Sequence, residues 1–376
     1  MAGFHPFGHK KRMIKKVIIS GGGTGGHIYP AIAIANALKV IDPAIQILFV
    51  GALGKMEMEK VPKAGYEIIG LPIAGIKREV SMDNLSFPIK LTRSLLRARS
   101  IIKSFKPDVA IGVGGFASGP LLMIASLLGI PTLIQEQNSY AGITNKLLAK
   151  RAKAICVAYP NMELFFPKNK LKMTGNPVRS DILEVKDKRE QAYAHFGLQP
   201  NHKTLLVIGG SLGARTINES IEAGLKLLID SGYQVLWQTG KPYADKATAA
   251  IHALKTPYAK AFDFIYEMDL AYALADVVVS RAGALSVSEL CLVAKPAILV
   301  PFPFASEDHQ TKNAMSLVDQ NAALLIKDKD AKEELVQTAL RLLQDTEKQQ
   351  ILSRNIKKLG KPDAAKKIAE TVLGLV

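Results

Sequence analysis

A glycine-rich turn between an apolar strand and a helix constrains this chain most. Val17-Ile18-Ile19 runs into Ser20-Gly21-Gly22-Gly23-Thr24-Gly25-Gly26-His27, and an alternation of Ala and Ile follows from Ala31 to Leu38. That order predicts a buried strand, a tight turn and an opening helix. Glycine admits positive φ and lets a bound group come close to the backbone. The free N–H groups and the dipole of a helix start suit an anion such as phosphate. Gly21, Gly23 and Gly26 satisfy the G-x-G-x-x-G dinucleotide fingerprint. The fingerprint also requires an acidic residue after the next strand to hold a ribose. Here the next strand, Gln46 to Ala52, ends on small residues, which removes the second half of a nicotinamide-dinucleotide reading. In its place stands His27, a titratable side chain at a helix N-terminus.

The rest of the chain repeats this grammar. Strands are predicted at Lys16–Ser20, Gln46–Gly51, Tyr66–Leu71, Val109–Val113, Thr132–Gln135, Ala154–Val157 and Lys172–Thr174, with helical patterns between most of them. A second glycine turn, Gly112 to Pro120, follows the fourth strand. Near Asn176-Pro177-Val178-Arg179 the chain changes character, and a charged segment leads to new strands at Lys203–Ile208, Gln234–Thr239, Ala261–Phe264, Val277–Ser280 and Ala297–Val300. A third glycine turn, Gly209 to Ala214, follows the first of these. Strands alternating with helices predict an α/β protein with doubly wound parallel sheets. The expected division is a first Rossmann-like domain over 13–176 and a second over 177–376, the last helix packing back on the first. Ligands in such folds sit beyond the carboxyl ends of the strands.

Charge separates the two halves. Residues 1–175 hold 24 Lys+Arg against 9 Asp+Glu, whereas the remainder is almost balanced within a total of +16. A basic half implies a polyanionic partner. Its cations gather in Lys77, Arg78, Lys90, Arg93, Arg97, Arg99, Lys103 and Lys106, interleaved from Phe87 with Leu91, Leu95, Leu96, Ile101, Ile102 and Phe105. This is a basic amphipathic helix, suited to anionic headgroups; the plainer reading is a solvated surface face. No aromatic platform or nucleic-acid module accompanies it, so nucleic acid is not an expected partner. Val109 to Gln135 is uncharged, but its glycines and prolines divide it into strand, turn, helix and strand rather than a membrane span. Met1–Arg12 has no apolar core of signal-peptide type and reads as a disordered extension. Cys156 and Cys291, far apart in apolar contexts, read as buried reduced thiols of a cytosolic protein.

Seven stretches in order resemble one family. They are GGGTGGHIYPA at Gly21–Ala31, GVGGFASGP at Gly112–Pro120, QEQNSYAGITN at Gln135–Asn145, GNPVR at Gly175–Arg179, IGGSLGA at Ile208–Ala214, SRAGALSVSE at Ser280–Glu289 and DHQTKNA at Asp308–Ala314. Together they resemble the MurG family of bacterial GT-B glycosyltransferases. The resemblance implies two Rossmann-like domains facing across a cleft. It also implies transfer of N-acetylglucosamine from UDP-N-acetylglucosamine to undecaprenyl-diphosphate-linked muramyl-pentapeptide, with inversion, at the cytoplasmic face of the inner membrane. Anionic lipids would be a further partner, and the protein would be a peripheral one.

The roles that the resemblance implies are chemically sensible. Ser211 and Arg179 would meet the donor diphosphate, and Ile265 would present backbone groups to uracil. The stretch Ala284, Leu285, Ser286, Val287, Ser288 and Glu289 opens a helix over the donor, with Glu289 accepting from both ribose hydroxyls. Gln310 would bind hydroxyls of the transferred sugar. Thr24, Gly25, Gly26 and Asn138 would line the sugar and acceptor side. Gly114, Gly115, Phe116 and Ser118 would form the acceptor diphosphate loop, with Phe116 where the family commonly has Tyr. Arg281 stands beside the donor stretch. No Asp-x-Asp cluster accompanies the phosphate turns, so neither a cofactor nor a metal is expected. His27, held neutral by the positive end of its helix, is the candidate general base or the orienter of the attacking hydroxyl. The alternatives are a diacylglycerol glycosyltransferase or UDP-sugar epimerase of the same fold, and a non-catalytic nucleotide-sugar-binding protein.

Overall fold

The computed structural model describes residues 13–73, 87–210 and 212–376. Met1–Arg12, Lys77, Arg78 and Ser211, all singled out above, lie outside the described residues. Among the described residues two sheets form. The first holds β1 (Lys16–Gly21), β2 (Gln46–Ala52), β3 (Glu67–Leu71), β4 (Val109–Gly114), β5 (Thr132–Glu136), β6 (Ala154–Val157) and β7 (Leu171–Met173). The second holds β8 (Thr204–Ile208), β9 (Gln234–Gln238), β10 (Ala259–Phe262), β11 (Val277–Ser280), β12 (Ala297–Leu299) and β13 (Leu324–Leu325).

Every pairing is parallel. The strand orders are β3-β2-β1-β4-β5-β6-β7 and β10-β9-β8-β11-β12-β13. The central strands are fully buried and read as continuous apolar runs, because helices cover both faces of each sheet. In both sheets the order reverses beside the first strand of that half, between β1 and β4 and between β8 and β11. Loops leaving adjacent strands at a reversal part to opposite faces and open a crevice. The glycine turns after β1, β4 and β8 therefore lie at the two crevices.

Ile18, Val50, Ala110 and Ile134 face one apolar layer of the first sheet, and Val17, Ile19, Phe49 and Ile111 face the other. The final helix, Ala364–Leu373, returns to the first sheet: Ile368, Ala369 and Val372 are buried in the same cluster as Ile28, Ile34 and Leu38 of helix Gly25–Ile41. Trp237, fully buried in the second sheet, donates its indole N–H to Asn218 Oδ1 at 2.9 Å. Cys156 and Cys291 are buried and unpaired with each other, and burial pushes both thiols up to about 12. Two departures from the expected strands occur. β10 lies two residues earlier than Ala261–Phe264, and the two-residue edge strand β13 has too few residues to show any alternation.

Candidate active site

The first two glycine turns are locked against each other. Gly22 N–H donates to the Gly114 carbonyl at 3.3 Å. Gly115 has φ +88°, and a Cβ there would stand 2.3 Å from the Gly22 oxygen, so the two backbones meet at a distance only glycine permits. Ser118, expected on the acceptor loop, opens the helix Ser118–Leu127 after the second turn. Its side chain is buried, and its hydroxyl donates to the Ser20 and Gly114 carbonyls at 3.0 and 2.7 Å. Its side chain fastens β1 to β4. Phe116 is 45% exposed at the mouth of the paired turns.

His27 lies in the first turn of helix Gly25–Ile41, with Thr24 as N-cap. Thr24 and Gly26 are exposed and Gly25 half-buried, and the Thr24 hydroxyl makes no capping bond, so the N-terminal groups face the crevice. The His27 ring lies along the Gly114 backbone: a Cβ on Gly114 (φ +111°) would stand 2.4 Å from its Cδ2 and 2.7 Å from its Nε2. Nδ1 lies 3.1 Å from the Gly22 carbonyl oxygen. A carbonyl only accepts, so the neutral ring carries its proton on Nδ1 and its lone pair on Nε2. Nε2 has no protein hydrogen-bond partner among the described residues. Burial holds the imidazole below its ordinary 6.5, opposed by Glu136, the Gly22 carbonyl and Glu57, and aided by His309. The leading cause is thus desolvation rather than the helix dipole invoked from sequence.

Two buried carboxylates support this centre, and sequence reasoning assigned neither a role. Glu57 accepts from Gly23 N–H at 2.8 Å and from Ala52 N–H at 2.9 Å. Glu136 accepts from Gly142 N–H and Asn145 Nδ2 through one oxygen, and from Asn138 N–H and Nδ2 through the other. Asn138 is thereby aimed by Glu136. Its Oδ1 also accepts from Asn313 Nδ2 at 3.3 Å, reaching the second half.

On the facing side, Arg179 and Glu289 come together. The Arg179 guanidinium lies 5.9 Å from the Tyr29 ring centroid, and its Nε is 3.5 Å from Asp181 Oδ1 in an ion pair beside the boundary between halves. Glu289 accepts from the Tyr272 hydroxyl at 3.0 Å. Burial raises the Glu289 carboxyl, against the opposing effects of Arg179 and Tyr272. The first turn and a half of helix Ala284–Val293 carries both half-buried and buried side chains. Ala284, Leu285 and Ser286 are half-buried, but Val287 is a core residue. The Ser288 hydroxyl donates to the Ala284 carbonyl and accepts from Asn176 Nδ2 at 3.0 Å. The side chains of Val287 and Ser288 are thus spent on packing and on the joint between halves.

The remaining expectations divide similarly. Ile265 donates its N–H to Gln238 Oε1 at 3.0 Å, so of its backbone groups the carbonyl is the one left for a base. Gln310 Oε1 accepts from Phe302 N–H at 2.9 Å, leaving Nε2 to meet a hydroxyl. Arg281 is buried and bound to the Val300 and Pro301 carbonyls and to Asp328. These bonds all run through Nη1 and shape the loop that precedes Gln310. Among the described residues no group of three or more His, Cys, Asp or Glu is placed to share a metal ion.

Amides join the halves beside this cleft. Asn313 Oδ1 accepts from Ser139 N–H and hydroxyl, and Asn176 Nδ2 bridges the Gln137 carbonyl and Ser288. Behind that seam a cavity of about 930 Å³ opens, lined by Tyr140, Tyr159, Asn176, Ser288, Lys312 and Met315 among others. His27, Arg179 and Glu289 lie outside it.

The chain is similar to known proteins in sequence and in fold. Residues 17–157 match the Glycosyltransferase family 28 N-terminal domain and residues 204–368 its C-terminal domain. A protein of Cytophaga hutchinsonii is 56% identical over 361 residues, covering 96% of this chain and 97% of its own. One of Bacteroides fragilis is 56% identical over 362 residues, covering 96% and 95%. Both bear the name UDP-N-acetylglucosamine–N-acetylmuramyl-(pentapeptide) pyrophosphoryl-undecaprenol N-acetylglucosamine transferase. Among solved structures, MurG of Acinetobacter baumannii superposes with a TM-score of 0.76 at 29% identity, over 96% of this chain and 99% of its own. The UDP-GlcNAc 2-epimerase of Neisseria meningitidis, at 15% identity and TM-score 0.67 over 96% and 100%, shares the fold alone.

Proposed function

This chain belongs to glycosyltransferase family 28, and on that footing we propose that it moves N-acetylglucosamine from UDP-N-acetylglucosamine to undecaprenyl-diphospho-muramyl-pentapeptide. The observation that supports this best is the pairing of opposed chemistries across one cleft. His27, with its Nε2 lone pair free, belongs to the first half, and Arg179 and Glu289 lie on the facing side. The acceptor 4-hydroxyl gives its proton to His27 Nε2 as its oxygen bonds the anomeric carbon. The bond to UDP breaks on the opposite face, which inverts the centre. Arg179 and the N-terminus of helix Arg215–Asp230 meet the charge that grows on the departing diphosphate. Labelled UDP-N-acetylglucosamine with a muramyl-diphosphate lipid tests the reading directly. Label in the lipid phase is the expected result, and tight UDP-sugar binding with no transfer would overturn it.

The same groups support transfer without a divalent cation. A guanidinium and helix N–H groups supply positive charge that does not depend on a bound ion. The rate is expected to survive excess EDTA. A rate abolished by EDTA and restored by Mg²⁺ would mean the diphosphate is held otherwise.

The first half is proposed to dock on anionic membrane at the cytoplasmic face. No helix among the described residues is long and apolar enough to cross a membrane. On helix Phe87–Phe105, Arg93, Arg97, Arg99 and Lys103 are exposed, and so are Ile89 and Leu96 at 60% and 63%. Leu127 on the neighbouring helix, and Ile143 and Leu147 beyond it, are also more than half exposed. Apolar contact plus cations gives a surface attachment that salt weakens. Vesicle flotation should show binding that needs anionic lipid and falls as salt rises. Binding indifferent to both would assign attachment to the apolar residues alone.

A further inference from the structure

Glu57 is an unusual first-turn helix acid. It is 1% exposed, although it sits in a run otherwise rich in charge, Lys55 to Lys63. Its two carboxylate oxygens take one backbone N–H each, Ala52 at the end of β2 and Gly23 in the first glycine turn. The space is shaped for it, since a Cβ on Gly22 would stand 2.2 Å from its Oε1 and one on Gly51 2.5 Å from its Cγ. The Gly23 N–H that Glu57 holds and the Gly22 carbonyl that His27 Nδ1 meets belong to the same peptide unit. Because that unit is planar and trans, its N–H and C=O point in opposite directions. Carboxylate, peptide and imidazole therefore form one hydrogen-bonded chain, in which each link polarises the next.

We propose that Glu57 is a positioning residue for the transfer, holding the Gly22–Gly23 peptide so that the Gly22 carbonyl fixes the His27 tautomer and leaves Nε2 as the base. The assignment rests on the transferase reading above for its chemistry, though not for its geometry. As the acceptor hydroxyl loses its proton to Nε2, the ring becomes imidazolium. The Gly22 carbonyl oxygen, made more negative by the carboxylate on the far side of its peptide, stabilises the Nδ1–H of that cation. The acid itself takes no proton and touches no substrate.

This role differs from that of the acid in dinucleotide-binding folds. There a carboxylate after the second strand holds a ribose. Here a carboxylate after β2 turns inward onto the glycine turn and supports a base. Other groups facing His27 are Glu136 from the loop after β5 and His309 from the second half. The Glu57 carboxylate is hydrogen-bonded to the Gly22–Gly23 peptide itself, which links it directly to the His27 ring.

Two measurements test the proposal. In wild-type protein with ¹⁵N-labelled histidine, the His27 signal (identified by its loss in His27→Asn) is expected to show the Nδ1–H tautomer once deprotonated. An Nε2–H tautomer overturns the proposal whether or not the protein is a transferase. In Glu57→Gln, one N–H must face an amide NH₂ and the charge is gone. The expected result is kcat lower by about 10–10²-fold with UDP-sugar affinity unchanged. The acid limb of the kcat profile should move to lower pH, because a charge that favoured imidazolium has been removed. Glu57→Asp keeps the charge and should keep the limb near its wild-type position while losing rate through its shorter reach. A reduced kcat with an unmoved limb in Glu57→Gln would reduce Glu57 to a loop anchor. Absence of any transfer by wild type would instead count against the transferase reading, and the tautomer would still be decided.

Discussion

Replacing His27 with alanine is expected to lower kcat by about 10²-fold or more while UDP-sugar affinity changes little. A positioned base contributes about 10²–10⁴-fold, equivalent to roughly 3–5 kcal/mol of barrier. The structure supplies what such a base needs: a fixed tautomer, an open Nε2 and a ring held against Gly114 by its bond to the Gly22 carbonyl. His27→Asn keeps a polar group near Gly22 but cannot accept the proton, so it separates positioning from proton transfer. Asparagine should recover little rate. The pH profile carries the same signature. Since burial holds the imidazole below 6.5, the neutral base persists into mildly acidic solution. The rate should fall only as pH drops through that lowered pKa. Near-normal kcat in His27→Ala with the lipid acceptor would place the base elsewhere.

Periodicity made the sheet strands legible because a parallel, doubly covered sheet writes its strands as uninterrupted apolar runs. Val17–Ile19, Val109–Val113 and Val277–Val279 needed no partner to be recognised. β13 could not be read this way, since Leu324–Leu325 is a strand only by virtue of pairing with β12. The site was legible where chemistry is local: His27 follows its own glycine turn, and Glu289 stands one and a half turns into its own helix. It was not legible where a residue acts across the fold. In sequence Glu57 is one acid among neighbouring lysines, and only folding brings it to Gly23, 34 positions away. Ser118, Val287, Ser288 and Arg281 show the converse. Each lies within a family stretch, yet each spends its side chain on the protein: Ser118 between β1 and β4, Ser288 on Asn176, Arg281 on the Pro301 loop and Val287 in the core.

Glu289→Ala is expected to weaken UDP-sugar binding by about 1.5–3 kcal/mol, the scale of hydrogen bonds to a charged acceptor. Only the carboxylate can accept from two neighbouring ribose hydroxyls, because protonation turns one oxygen into a donor. The Tyr272 hydroxyl orients that carboxylate from behind, donating to Oε2 from a buried position. Tyr272→Phe should therefore cost less affinity than Glu289→Ala, since it loosens the acceptor without removing it. Burial raises the Glu289 carboxyl above its ordinary 4.5 even with Arg179 nearby. The sign follows: donor affinity is complete when Glu289 is ionised and is lost as pH falls through its raised pKa, earlier than for an exposed glutamate. Calorimetry on wild type, Glu289→Ala and Tyr272→Phe across mildly acidic pH reads all three effects. A second consequence concerns where affinity resides. Arg179, Ile265, Glu289 and Gln310 all lie after the first sheet, whereas His27 and its two supporting carboxylates lie within or beside it. Loss of Glu289 should thus raise KM for UDP-sugar while leaving the acid limb set by His27 in place. Unchanged donor affinity in a folded Glu289→Ala would remove this carboxylate from the ribose site and leave it a structural partner of Tyr272.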